Sequence, residues 1–397
     1  MLTDRVLNAE WHWVAAPMRL LRVVACIAFS LVMAQPPELC AAEPYPVPAL
    51  VLDGVLVDPA TLDYSQLPVI RGEHAIVSAG DEAWKFRLHN YLIHHDGKYW
   101  CMWSHGPIVE DYPTQHVRYS VSDDGLRWSE PRMLTDMPTA GYAYIARDFW
   151  LRDGELLGLV ARYKGHGAFG VNKELTLEAF AWDESADAWK HRGRVFDDAI
   201  NNFAPEKLAS GRWMTTRRDS RFNTTMLIGG TAKLDAWDVV PVVPNKNPDT
   251  KLKPDEPIWY QRADKTCVAV FRDNGGSGRF FGATSADEGR TWTQPEITNF
   301  PNATSKVYSL KLSDGRRVLI NNANVKVARR ELHIAFSEDD GRTYTQLARL
   351  EIPLINKRAA TFQYPHAIER DGHLLIAFSR LKTSIEVLKI PLANLDQ

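Results

Sequence analysis

Ser285-Ala286-Asp287-Glu288-Gly289-Arg290-Thr291-Trp292 is the stretch that decides the fold, because it recurs. It returns as Ser337-Glu338-Asp339-Asp340-Gly341-Arg342-Thr343-Tyr344 and, with Val in first place, as Val121-Ser122-Asp123-Asp124-Gly125-Leu126-Arg127-Trp128. Such a pattern makes a tight turn between antiparallel strands. The Asp and Ser side chains bind nearby backbone amides, Gly takes a conformation other residues resist, and the aromatic packs back beneath the turn. The aspartates at the third place, Asp123, Asp287 and Asp339, are therefore read as turn-forming rather than catalytic.

Between these turns lie hairpins. Residues 91–95 alternate into Asp96-Gly97 and out again through 98–103, and such a dipeptide between alternating apolar residues is a strong hairpin signal. Further turns fall at Asp153-Gly154, Ser210-Gly211, Asp264-Lys265, Asp314-Gly315 and Asp371-Gly372. The aromatic ends at Trp128, Trp189, Trp237, Trp292 and Tyr344 stand roughly 50 to 60 residues apart, the period of four-stranded propeller blades. Six units predict an all-β, six-bladed propeller, closed by pairing of Ala49–Leu52 with residues 385–390. Two packed β-sandwiches are the competing architecture. The Pro-rich residues 241–257 are expected to be a surface excursion between the third and fourth units.

The 397-residue chain carries 13 Trp, 13 Tyr and a formal net charge of −2, which describes a globular protein with no bias towards nucleic acid. Arg19 and Arg22, the apolar run 23–34 and the small residues at 40–42 have the order of a signal peptide, expected over 1–42 with a possible start at Met18. Residues 43–397 are expected to form one exported domain, periplasmic or secreted, monomeric and without a membrane anchor. The apolar run, about a dozen residues, is short for a bilayer. Cys101 and Cys267 remain in the mature chain and are expected to be buried thiols rather than a disulfide. His94 and His95 point to opposite faces of a strand, so no metal site is expected.

The repeated octapeptide resembles the Asp-box of the sialidase (neuraminidase) superfamily, a resemblance that spans nearly all of the mature chain. That family grips a substrate carboxylate with three arginines and uses an Asp acid/base and a Tyr nucleophile assisted by a Glu. The resemblance implies that Arg87, in Phe86-Arg87-Leu88-His89, is the first arginine, with His89 where the family has Pro. It implies Arg279 as the second arginine and Arg329 or Arg330 as the third. Asp111, with Glu110 as an alternative, becomes the acid/base, and Tyr364 in Tyr364-Pro365 the nucleophile. Spacing back from Arg279 places Gln261 where the family has Glu, so Glu256 or Glu206 is expected to substitute. No cofactor is implied.

A neutral Tyr suits an anomeric carbon that bears a carboxylate, because an anionic nucleophile would approach against like charge. Planar guanidinium forks suit the carboxylate itself. The expected substrate is an acidic glycan, cleaved at a terminal acidic sugar with retention. Two other readings stay open: a hydrolase or lyase for uronate polysaccharide, using His89, His105 or His366 with Tyr364, and a propeller that binds acidic glycans without turnover.

Overall fold

The computed structural model describes residues 48–244, 253–355 and 360–396. The leader expected over 1–42 lies outside the described residues. Each hairpin signal lands where it was read. Asp96 and Gly97 have φ of 48° and 72°, Asp153 and Gly154 51° and 90°, and Asp371 and Gly372 50° and 71°, the paired left-handed conformations that match strand twist.

Among the described residues the strands form seven sheets, which corrects the expected six-bladed count. Six contain the recurring units. The first is Phe86–His95, Lys98–Gly106, His116–Ser122 and Arg132–Met133, and the second is Tyr142–Arg152, Glu155–Lys164, Thr176–Asp183 and Ala188–Asp197. The third is Glu206–Lys207, Trp213–Arg218, Thr224–Gly229 and Trp237–Val243, and the fourth is Pro254–Gln261, Cys267–Asp273, Arg279–Ser285 and Glu296–Pro301. The fifth joins Tyr308–Lys311, Arg317–Asn321, His333–Ser337 and Gln346–Leu350 to Val69–Ile70, and the sixth joins Phe362–Arg370, His373–Arg380 and Ser384–Pro391 to Glu73–Ala79.

The seventh sheet has three strands, Val55–Leu56, Ala49–Leu52 and Thr343–Tyr344. Its members come from opposite ends of the chain, so no sequence period announces it. Ala49–Leu52 therefore runs parallel to the tail of the last Asp-box, not beside 385–390 as expected. Closure falls instead to Glu73–Ala79, antiparallel to Ser384–Pro391, and to Val69–Ile70, parallel to Gln346–Leu350. Both ends of the chain thus complete sheets that the other end begins. The excursion expected over 241–257 is also shorter, because strands Trp237–Val243 and Pro254–Gln261 occupy both its ends.

Apolar side chains of neighbouring sheets interdigitate. Trp100 stacks on Tyr119 of its own first sheet at 5.5 Å and meets Trp182 of the second sheet edge-on at 5.0 Å. Each such contact adds about 1 kcal/mol beyond the burial itself. Cys101 and Cys267 are buried free thiols in different sheets.

The Asp-box turns are built as their residue types require. Gly289 N–H donates to Ser285 Oγ at 2.8 Å, Asp287 accepts from Thr291 N–H at 2.9 Å, and Trp292 Nε1–H reaches back to the Gly289 carbonyl at 2.9 Å. In the first copy the roles shift by one residue. Ser122 accepts from Gly125 N–H, and Asp124, not Asp123, accepts from the amides of Leu126 and Arg127. That copy is one residue shorter from Ser to Gly.

Gly341 has φ +84°, and a Cβ there would lie 2.5 Å from Tyr260 Oη and 2.8 Å from Arg317 Cδ. Gly97, at φ +72°, has open space around it. Gly97→Ala is expected to cost roughly 1 kcal/mol, for the left-handed backbone alone. Gly341→Ala adds the clash and is expected to cost about 2 kcal/mol or more. Urea denaturation midpoints of the two variants, measured side by side, check this difference.

Candidate active site

The first strands of three sheets break their alternation beside one cavity. In Phe86–His95 the register slips between Leu88 and Tyr91, in Pro254–Gln261 between Asp255 and Ile258, and in Phe362–Arg370 between Gln363 and His366. Each bulge holds a non-glycine residue in the left-handed region: His89 at φ 55°, Glu256 at 45° and Tyr364 at 55°. Such conformations cost about 1–3 kcal/mol each, and bulges of this kind re-aim side chains. All three line one cavity of about 410 Å³. Asp111, with φ 64°, reaches it from the loop between Lys98–Gly106 and His116–Ser122.

At its centre the Tyr364 hydroxyl donates to Glu256 Oε1 at 3.1 Å. Glu256 Oε2 meets Arg272 Nη1 at 2.5 Å, and Arg218 lies 3.6 Å from Oε1 while pairing with Asp255 at 3.2 Å. Burial opposes the charge on Glu256, but Arg272 and Arg218 outweigh it and hold the carboxyl below its usual range. Burial, then the neighbouring Glu256 charge, pushes the Tyr364 phenol well above its ordinary value. The pair is therefore a neutral phenol against a carboxylate.

Across the cavity Asp111 accepts from the Tyr163 hydroxyl at 3.0 Å. Burial, reinforced by the Glu110 charge, raises its pKa. Glu110 differs: burial is outweighed by contacts with His89 and Lys382, which lower it to about 2. Burial lowers His89 to about 4, so near neutral pH its Nε2–H donates to Glu110 at 3.3 Å and its Nδ1 accepts from Ser104 at 3.0 Å. Two adjacent carboxyls thus differ in their readiness to hold a proton, as acid/base chemistry requires.

The structure brings Asp111, Glu110, His89, Glu256, Arg329 and Tyr364 together. It does not bring Arg87, whose guanidinium is buried against Ser78 Oγ and the Trp84 carbonyl. Arg279 pairs with Asp58 at 3.0 Å on the third strand of its sheet, outside the cavity. Arg330 is exposed, and Glu206 and Gln261 line a separate cavity. Gln261 accepts from Ala209 N–H at 2.8 Å and donates to the Lys265 carbonyl. His105 stacks on Trp84 at 5.1 Å, and His366 faces Asp148 at 3.4 Å and accepts from Leu92 N–H. Neither lines this cavity.

Sequence reasoning missed Arg272, Arg218, Arg147, Asp255 and Lys382. Arg279 and Gln261 both lie outside the cavity, and the acid inside it, Glu256, pairs with Arg272 at the end of the second strand of that sheet. The usable signal was Asp255-Glu256 followed one hairpin later by Arg272.

The family description "BNR repeat-like domain" matches residues 88–376, more than half of the chain. No curated protein sequence matches it. Solved structures of similar fold include a protein of unknown function from Dyadobacter fermentans, at 15% identity and TM-score 0.64, covering 82% of this chain and 100% of that one. A sialidase matches at 16% identity and TM-score 0.59, over 87% of this chain and 35% of its own. The Trypanosoma rangeli sialidase solved with sialic acid matches at 12% identity and TM-score 0.61, over 83% of this chain and 60% of its own. The chain thus spans between a third and two thirds of the length of those two sialidases.

Proposed function

The chain belongs to the BNR repeat-like domain family, and from that premise we propose that it is an exported glycoside hydrolase that removes a terminal acidic sugar with retention of configuration. The observation that carries this reading is the buried Tyr364–Glu256 hydrogen bond, set among guanidiniums and opposite a carboxyl of raised pKa. Glycosidases with a Tyr nucleophile depart from the two-carboxylate rule, and the chemistry explains why. A phenol can approach an anomeric carbon bearing a carboxylate without charge repulsion.

In this mechanism Asp111 gives its proton to the leaving oxygen as the glycosidic bond breaks. Tyr364 Oη forms the new bond to the anomeric carbon while its proton passes to Glu256. Because Tyr364 is a poor acid and Glu256 a weak base here, the transfer accompanies bond formation and no free phenolate precedes it. Water then attacks, Asp111 takes its proton, and Tyr364 leaves with the proton held by Glu256. Arg329, which meets no carboxylate among the described residues, offers its fork to the sugar carboxylate, with Arg272 beside it.

The test is hydrolysis of an aryl α-sialoside followed by proton NMR from the first turnovers. Release of the α anomer first supports the reading. No release from folded protein, or the β anomer first, sinks it. A second expectation concerns pH. Asp111 must be protonated to act, and its pKa is raised by burial and by Glu110. Activity is therefore expected to fall as pH rises through that value. In Asp111→Asn this alkaline limb should vanish along with most turnover on substrates with poor leaving groups, while activated aryl substrates lose less.

A further inference from the structure

The charges lining the cavity do not balance. Glu110 pairs with Lys382, Glu256 with Arg272 and Arg218, and Asp255 with Arg218. Asp111 is held towards its neutral form. Two guanidiniums are left without a carboxylate within 4.0 Å among the described residues, those of Arg329 and Arg147. Arg147 is the more telling. It is only 2% exposed, and its Nε and Nη1 are buried with no hydrogen-bond partner. Burying a charge with no partner opposes folding, so such a group is a candidate for completion by a ligand.

The two forks also come from different elements. Arg329, between Arg317–Asn321 and His333–Ser337, donates to the Thr304 carbonyl and acts on Glu256 and Tyr364, whereas Arg147, on the inner strand Tyr142–Arg152, acts on Asp111, Tyr163 and His89 and on the neutral Tyr91 behind them. One carboxylate beside Tyr364 leaves Arg147 uncompensated. Building on the glycosidase reading, we propose that the sugar taken by this cavity carries two anionic groups, one met by Arg329 beside Tyr364 and a second, a sulfate or carboxylate, met by Arg147. The depth of Arg147 places the second group on the terminal sugar itself, because the released portion must face solvent.

The experiment is calorimetric binding in the Tyr364→Phe background, which removes the chemistry, so its outcome is independent of whether sialosides are cleaved. The probes are glucuronic acid and N-acetylneuraminic acid, each with one carboxylate, and the 2-O- and 3-O-sulfates of glucuronic acid. At least one sulfated sugar is expected to bind about tenfold tighter than glucuronic acid. Adding Arg147→Gln should abolish that preference, while Arg329→Gln should weaken both kinds of sugar. Equal binding of all four, or a preference that survives Arg147→Gln, overturns the proposal. Thermal melting supplies the control. Removing an unpaired buried charge should leave the melting temperature unchanged or raised, and a variant that melts lower or fails to fold would make Arg147 a structural residue and overturn the proposal as well.

Discussion

Tyr364→Phe is expected to reduce turnover of an aryl α-sialoside by about a thousandfold or more while changing KM little. The substitution removes one oxygen from a ring that stays packed against Phe86 and Leu88. Glu256 keeps its ion pairs with Arg272 and Arg218, so no charge is left stranded. Arg329 is untouched, which is why binding should persist. Steady-state kinetics with circular dichroism of the same sample separate this outcome from a folding defect. Turnover that survives the substitution would remove Tyr364 from the mechanism and with it the proposed function.

Glu256→Ala is expected to be damaging in two ways. Glu256 is 4% exposed, and its carboxylate neutralises Arg272 and shares Arg218 with Asp255. Its loss leaves Arg272 buried without its ion-pair partner, a change that costs about 3–5 kcal/mol. It also removes the group that takes the Tyr364 proton, so turnover should fall as far as in Tyr364→Phe. Glu256→Gln preserves shape but not charge and should show the same loss of turnover with a smaller loss of stability. Guanidinium denaturation of the two variants against wild type reads the stability effect.

The same carboxyl has a pH signature. Its folded pKa lies below the ordinary 4.5, so the pair's contribution is fully present above that value and is lost as pH falls below it towards the folded pKa. Acid denaturation of wild type should therefore be steeper below pH 4.5 than that of Glu256→Gln.

Little of the site was open to reading from local chemistry alone. Asp111 and Tyr364 entered only through the family resemblance, and the fold brings both to one cavity. Local chemistry did not place the arginines either. Arg87, Arg272 and Arg279 all sit in strands, and strand membership does not say which way a side chain faces once a bulge has intervened. Arg87 precedes the bulge at His89 and is turned to Ser78, whereas His89 lines the cavity.

By itself the sequence determined the hairpins, their period and the Asp-box turns, because each depends on residues within a few positions of one another and on glycines that tolerate positive φ. It also determined that the chain is all-β and built of repeated sheets. Only the tertiary structure decided the seventh sheet, whose strands at 49–52 and 343–344 lie far apart in the chain, and the pairing of Glu256 with Tyr364 and Arg272. Contacts of that range follow from which strands pair across the chain and where their registers slip. Those are properties of the assembled sheets, and no local stretch of sequence encodes them alone.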